Sequence, residues 1–410
     1  MYFCHSILFM KYVHRQMESC VKRIIKSFPC LAVTGPRQSG KSTLLTNTLP
    51  EYNYITLDDP LTRQRALSDP RLFLDTAGEK VIIDEIQWAP HLMSYIKMRV
   101  DERRDKMGAY VFTGSQQFTM IKNLSDSLAG RIALLDLLPF SVEEKKTSIS
   151  LNSTKEAFIH AALRTSYPEP ALNAHLDVPV WAGAYVQTYL ERDVRSLYNV
   201  GNLSDFQHFL QLLASRCSQI LNMSQFANDL GVSLPTIKSW LSILEAGRII
   251  YLLPPYYVNL GKRITKSPKI YFLDIGLVCY LTGIRDRDHL LKGPLAGPLF
   301  ENFCIAETIK LFFNRGRRGN LFFLRTNNNL EVDLLIEESF ETVTPVEIKL
   351  NQTPNMRMGS HITRFKELFS KLKVNDGRIL SLTEKSIPLS RDISAVTLND
   401  YLKQVAKGIT

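Results

Sequence analysis

The chain has 410 residues, 45% of them hydrophobic and 22% charged, with a formal net charge of +10. That length exceeds what one core usually holds, so two or three domains are expected, and the composition excludes a disordered or collagen-like chain. No run approaches the roughly 18 apolar residues of a spanning helix; the longest candidate, "RIIYLLPPYYV", is broken by Pro254 and Pro255. The apolar start "MYFCHSILFM" lacks a basic lead and a small-residue cleavage site, so a cytoplasmic protein with no membrane partner is expected. Six widely separated cysteines do not form zinc-type CxxC pairs and read as reduced, buried thiols. The positive charge favours an anionic partner, with nucleic acid the first candidate.

In chain order, "CLAVT" (30–34) reads as a buried strand and "STLLTNTL" as a helix, with Leu44, Leu45 and Leu49 at helical spacing. Between them runs G-x-x-x-x-G-K-S, a phosphate-binding loop in its required context of strand, loop and helix. Gly35, Pro36, Arg37, Gln38, Ser39, Gly40, Lys41, Ser42 and Thr43 are the candidate nucleotide contacts. Gly35 and Gly40 allow backbone N–H groups to close around phosphates, Lys41 reaches the terminal phosphates, and the Ser42 hydroxyl can ligate Mg2+. ATP and Mg2+ are therefore the expected cofactors.

"EYNYITLDDP" supplies a further strand ending near Asp58 and Asp59, and "KVIIDEIQWAP" (80–90) a strand ending in Asp84 and Glu85. Carboxylates at the C-terminal end of a parallel strand face the ligand crevice. Asp84 is thus the candidate Mg2+ partner, and Glu85 the group that orients and polarises the attacking water. "GAYVFTGSQ" (108–116) is a strand ending at Thr113 and Gly114, and Ser115 beyond it is either a sensor of the terminal phosphate or part of a plain strand-to-turn stop. Arg131, in "SLAGRIALLDLLPFSVEE", is either an arginine finger, in cis or on a neighbouring subunit of a homo-oligomer, or an ordinary surface arginine. Alternating strands and helices make this region a doubly wound α/β domain.

The stretches "GPRQSGKSTLL", "VIIDEIQ", "FTGSQ", "LAGR", "LLPFSVEE" and "YLERDVRSLYNV" together resemble a family of bacterial and archaeal ATPases of the AAA+ superfamily. Its members join such a domain to a C-terminal domain of unknown function. The resemblance runs from about residue 15 to the end and implies an AAA+-like ATPase. The loop ends Ser-Thr where Thr-Thr is commoner, and Ser42 supplies the same hydroxyl. The resemblance also marks Glu191, Arg192 and Asp193, on the polar side of a helical pattern, as a contact to the ATPase domain.

A polar, turn-rich stretch from 141 to 180 places the end of the first domain near 175, giving 1–175 as the P-loop domain. The segment 176–285 reads as a helical connector with a winged helix: helix, turn at Gly231, helix, apolar hairpin, with Ser224 and Ser233 as N-caps. The exposed residues expected on its second helix, Thr236, Lys238 and Ser239, carry little positive charge, so a protein partner fits this module as well as DNA does.

The remaining unit, 286–410, begins with a helix after Pro298 that carries Glu301 and Glu307 on its less apolar sides. Two extended segments, 327–338 and 343–351, follow. Strand alternation puts Glu347 and Lys349 on one face, with Asp333 on the neighbouring strand. Asp333, Glu347 and Glu301 are candidate ligands for a second Mg2+ or Mn2+, and Lys349 a group to steady the attacking water. This order resembles the PD-(D/E)XK nuclease superfamily, of restriction-endonuclease-like fold; a salt-bridged or degenerate copy of that fold is the alternative. The expected function is an ATPase whose hydrolysis is coupled to a nuclease-like domain acting on nucleic acid, DNA first. The rival is an ATP-driven switch or remodeller of protein partners with an inactive C-terminal domain.

Overall fold

The computed structural model describes residues 12–114, 128–190, 203–256, 267–326 and 330–408. After helix α1 (Glu18–Ile24), strand β1 (Cys30–Thr34) enters a five-stranded parallel sheet with β2 (Asn53–Thr56), β3 (Val81–Asp84), β4 (Tyr110–Thr113) and β5 (Ile132–Asp136), in the order β2-β3-β4-β1-β5. β1, β3 and β4 are buried along their whole length, because helices cover both faces of a parallel sheet. At the edge, β2 is partly exposed. The helices are α2 (Lys41–Thr48), α3 (Pro60–Ser68), α4 (Pro70–Ala77) and α5 (Leu92–Glu102). Asp59 caps α3 by accepting the Thr62 N–H, which gives it a structural task.

From Leu138 onward the chain builds a different core. Helices α6 (Val142–Lys145), α7 (Thr154–Arg164), α8 (Pro168–Leu172) and α9 (Val178–Tyr185) lead into α10 (Leu203–Ser215), α11 (Met223–Leu230) and α12 (Leu234–Ala246). An antiparallel pair, β6 (Ile250–Leu253) and β7 (Lys269–Phe272), follows, and Ile220 bridges to Lys269 beside it. Ser233 caps α12 as expected, whereas the cap of α11 is Asn222, not Ser224, because Asn222 reaches the Gln225 N–H and α11 starts one residue before Ser224. On α12, Lys238 is exposed while Thr236 and Ser239 are half-buried.

After α13 (Ile275–Leu281) and α14 (Arg287–Lys292), the long α15 (Ala296–Phe313) is buried on nearly every side. It starts before Pro298 rather than after it, since proline is tolerated in a first helical turn. A seven-stranded mixed sheet lies against it: β8 (Leu321–Arg325), β9 (Glu331–Ser339) and β10 (Thr342–Lys349) form an antiparallel meander. Past α16 (Ser360–Leu368), the short β11 (Lys373–Val374) and β12 (Gly377–Ser381) pair parallel to β10. β13 (Ile387–Pro388) and β14 (Ile393–Val396) extend the sheet beyond β12, and α17 (Leu398–Gly408) closes the described chain.

One apolar cluster holds Leu138, Phe158, Trp181, Phe206, Trp240, Phe300, Val346 and Tyr401 together. Leu138, Leu151, Phe158 and Tyr167, within the stretch assigned by composition to the P-loop domain, thus pack with the C-terminal half, while Phe140 and Ala171 pack with Val13. The division expected near 285 likewise crosses a continuous core, and Tyr256 donates its N–H to Phe323 O at 2.6 Å across it. The five cysteines among the described residues are free and buried, and no described helix is long and apolar enough to cross a membrane.

Candidate nucleotide site and C-terminal carboxylate pair

The phosphate loop follows β1 at the C-terminal end of the sheet. Gly35 has φ +138°, and a Cβ there would lie 2.2 Å from Leu137 O, so only glycine fits. Gly40, at φ 89°, caps α2, and Gln38 also takes positive φ. Lys41, 6% exposed, folds its Nζ onto the loop carbonyls Gly35 O (3.1 Å) and Pro36 O (2.9 Å). Ser39 Oγ is buried without a hydrogen-bond partner among the described residues. A loop closed around a buried ammonium, with an orphaned hydroxyl and a helix start beside it, fits a polyphosphate.

Asp84 ends β3 directly across from this loop. Ser42 Oγ donates to its Oδ2 at 2.9 Å, Tyr54 Oη to the same oxygen at 2.5 Å, and Thr113 Oγ1 to its Oδ1. Ser42 and Asp84, the expected Mg2+ residues, are thus brought together. Tyr54 has no counterpart in the sequence reading. Its signal lies in the register: β2 pairs parallel with β3 through Tyr54↔Ile82 and Thr56↔Asp84, which sets its long side chain beside the carboxylate. Burial and the Asp84 carboxylate both raise its pKa, so the phenol stays a donor.

Glu85 follows in a left-handed backbone conformation, φ 55° and ψ 46°, uncommon for a residue with a Cβ. Gln87 Nε2 donates to its carboxylate. Arg131 lies elsewhere. It directly precedes Ile132, which pairs with Cys30, whereas the loop follows Thr34, four residues further and about 13 Å along the strand. Its Nε pairs with Asp101 Oδ1 at 2.5 Å. An action in cis on the loop is therefore excluded by distance. Ser115, Glu191, Arg192 and Asp193 fall outside the described residues.

In the C-terminal sheet, Asp333 on β9 and Glu347 with Lys349 on β10 meet across the antiparallel ladder. Lys349 Nζ lies 2.6 Å from Glu347 Oε2 and 3.2 Å from Asp333 Oδ2, and Ile348 donates its N–H to that same Asp333 oxygen at 2.8 Å. Burial and the neighbouring Asp333 push the Glu347 carboxyl up to about 8, with Lys349 opposing. For Lys349, burial acts downward, yet Asp333 and Glu347 outweigh it and hold its pKa above the ordinary value.

Glu301 on α15 is held differently from expectation. Tyr271 Oη donates to it at 2.6 Å and Lys269 Nζ at 3.0 Å, and Lys269 also pairs with Glu331 at 2.7 Å. Burial and Asp333 raise the Glu301 carboxyl to about 7 against the pull of Lys269. Among the described residues no three His, Cys, Asp or Glu side chains gather into a metal-holding group. In this structure the three expected ligands stand in ion pairs: Lys349 engages Asp333 and Glu347, and Lys269 engages Glu301.

These sites define the class of the N-terminal part. Residues 27–146 match the AAA domain, in keeping with a P-loop nucleotide-binding fold in this part of the chain. Residues 155–288 and 296–401 match two domains of unknown function, DUF8612 and DUF4143. The chain is 28% identical, over 392 residues, to the uncharacterized proteins Mb2031c of Mycobacterium bovis and Rv2008c of Mycobacterium tuberculosis, covering 95% of this chain and 84% of each relative. Among solved structures it is similar to the Walker-type ATPase PABY2304 of Pyrococcus abyssi, with TM-score 0.44, 16% identity, and 66% and 96% of the two chains covered. It is also similar to AMPPCP-bound DnaA from Aquifex aeolicus, with TM-score 0.30, 14% identity, and 56% and 85% covered. At these scores neither likeness carries an argument.

Proposed function

We propose that this chain hydrolyses ATP at the loop 35–43 and that turnover controls a nuclease-like C-terminal domain that engages nucleic acid, with DNA the first candidate. The observation that carries the first half is the convergence of Lys41, Ser42 and Asp84 on one loop. When bound, ATP supplies the phosphoanhydride and Mg2+ the charge that offsets the transferring group. Lys41 leaves the loop carbonyls to meet terminal phosphate oxygens. Asp84, steadied by Thr113 and Tyr54, would hold the cation together with Ser42. Glu85 accepts a proton from the attacking water, and Ser115 is the proposed phosphate sensor. Arg131, just before the edge strand β5 and remote from its own loop, is proposed to act on a neighbour's nucleotide, which requires a homo-oligomer.

The second half rests on the order of the C-terminal elements. A helix, three antiparallel strands, a helix and a further parallel strand, with Asp333, Glu347 and Lys349 at adjacent strand positions, support a nuclease-like domain of restriction-endonuclease-like fold. The helix-turn-helix and hairpin of α11 to β7 support a winged helix between the two units. Asp333 and Glu347 would hold a Mg2+ or Mn2+ ion there, which would supply charge for the attacking water. Beside them, Lys349 and Lys269 supply positive charge next to acids whose protons are held near neutral pH. A second reading, an ATP-driven switch acting on protein partners through the winged helix, is favoured by the engagement of Glu301 with Lys269 and Tyr271, which a structural role explains equally well.

Incubation of the protein with linear, supercoiled and branched DNA, in Mn2+ or Mg2+, with and without ATP, separates these readings. Cleavage that an Asp333→Asn/Lys349→Ala variant loses supports the nuclease. DNA binding without cleavage supports a binding domain, and no interaction with DNA shifts the function to protein partners.

A further inference from the structure

We propose that Arg15 is a positioning residue that sets the phosphate loop and ties it to α15, so that nucleotide at the loop is felt along that helix. The inference rests on the reading of residues 35–43 as the nucleotide site. Arg15 precedes α1 and is 5% exposed. Its guanidinium donates in three directions: Nη1 to Ser39 O at 2.8 Å, Nη2 to Leu138 O at 2.7 Å, and Nε to Glu144 Oε1 at 3.0 Å. The ring of Phe140 lies beneath it, 4.7 Å from the guanidinium carbon. A planar fork can reach three acceptors at once, and an ammonium cannot reproduce that spread.

The contact with Ser39 bears on the loop. In a trans peptide the C=O and the next N–H point in opposite directions. Turning Ser39 O toward Arg15 therefore turns the Gly40 N–H away from Arg15. That N–H stands at the cap of α2, among the groups a phosphate would use. A Cβ on Gly40 would lie 3.7 Å from Arg15 Nη1, so the side chain packs directly under the loop.

The other arm leads to α15. Glu144 accepts from Arg15 and from the Gln16 N–H (2.9 Å), and its second oxygen accepts the Ser141 N–H (2.8 Å) in a capping box that opens α6. The first residue of α6 then donates its N–H to Glu307 Oε2 on α15 at 2.7 Å. Lys310, also on α15, returns to Phe140 O at 3.1 Å and to Glu307 Oε1 at 2.9 Å. Asn314 closes the circuit with Gln16 Oε1 at 3.0 Å. Arg15, Glu144, Glu307 and Lys310 are all buried, so their bonds are not exchanged freely for water. The same helix carries Glu301, at the carboxylate cluster.

The test uses the full chain, a fluorescent ATP analogue with Mg2+, and hydrogen exchange of the α15 amides with and without that nucleotide. In the wild type the analogue binds and slows exchange in α15 as well as in the loop. Arg15→Lys keeps the charge and loses the fork; it is expected to weaken analogue binding on the order of tenfold and to abolish the α15 response. Glu307→Gln leaves Arg15 on Ser39; it is expected to hold affinity within about twofold while the α15 response falls. Unchanged affinity in a folded Arg15→Lys overturns the proposal, and so does a wild-type α15 response in Glu307→Gln, which decides alone if Arg15→Lys does not fold. Failure of the wild type to bind the analogue would refute the nucleotide site itself, a separate result.

Discussion

Replacing Glu347 by glutamine should change how stability depends on pH. The Glu347 side chain is 1% exposed, its Oε1 has no hydrogen-bond partner among the described residues, and the lysine at its Oε2 is shared with Asp333. Burial first, then Asp333, raise its carboxyl from 4.5 to about 8. Between those values the folded protein keeps a proton that the unfolded chain has released. A raised pKa therefore contributes stability fully below the unfolded value, and that stability is lost as pH rises through the window to the folded value. At about 1.4 kcal/mol per unit the window corresponds to a few kcal/mol at most. Glutamine keeps the shape and does not titrate. Urea denaturation midpoints from pH 5 to 8.5 should fall for the wild type and fall much less for Glu347→Gln. Parallel profiles for the two proteins would refute the reasoning.

Other substitutions probe the nucleotide site. Gly35→Ala places a methyl 2.2 Å from Leu137 O, so the loop must shift; we expect a loss of about 1–3 kcal/mol in stability by denaturant titration, and nucleotide binding should weaken with it. Tyr54→Phe removes one of the hydroxyls on Asp84. At about 1 kcal/mol for one hydrogen bond, the Mg2+ concentration for half-maximal binding of a labelled ATP analogue should rise several-fold, while binding in EDTA stays unchanged. Glu85→Gln should bind ATP like the wild type and turn it over slowly, which single-turnover kinetics would resolve; equal loss of binding would remove Glu85 from the role of base.

The parts of the molecule legible in sequence are those whose signal is local. β1, β3 and β4 are short apolar runs bounded by polar residues, and the loop's glycines stand where the backbone takes positive φ. Asp84 and Glu85 are legible because a parallel strand must end at the ligand crevice. Asp333, Glu347 and Lys349 are legible because strand alternation and a preceding strand place them together. What was not legible depends on distant partners. "EEKK" reads as a polar run, yet Glu144 and Lys145 are buried, because Arg15 and Ser166 arrive from remote parts of the chain to receive them. Burial drives the Lys145 ammonium down to about 8. Glu307 reads as standing on a less apolar side of its helix, but α15 is buried on nearly every side, so amphipathic spacing has little polar side to report. The same long-range packing joins Leu151, Phe158 and Tyr167 to the C-terminal core.

ATP turnover by the wild type and by Lys41→Ala, each with and without linear duplex DNA, tests the central claim most directly. The account predicts turnover in the wild type that DNA changes several-fold, and none above background in Lys41→Ala. Turnover retained in a folded Lys41→Ala would contradict the assignment of the loop, and a wild-type rate indifferent to DNA would contradict its coupling to a nucleic-acid-engaging domain.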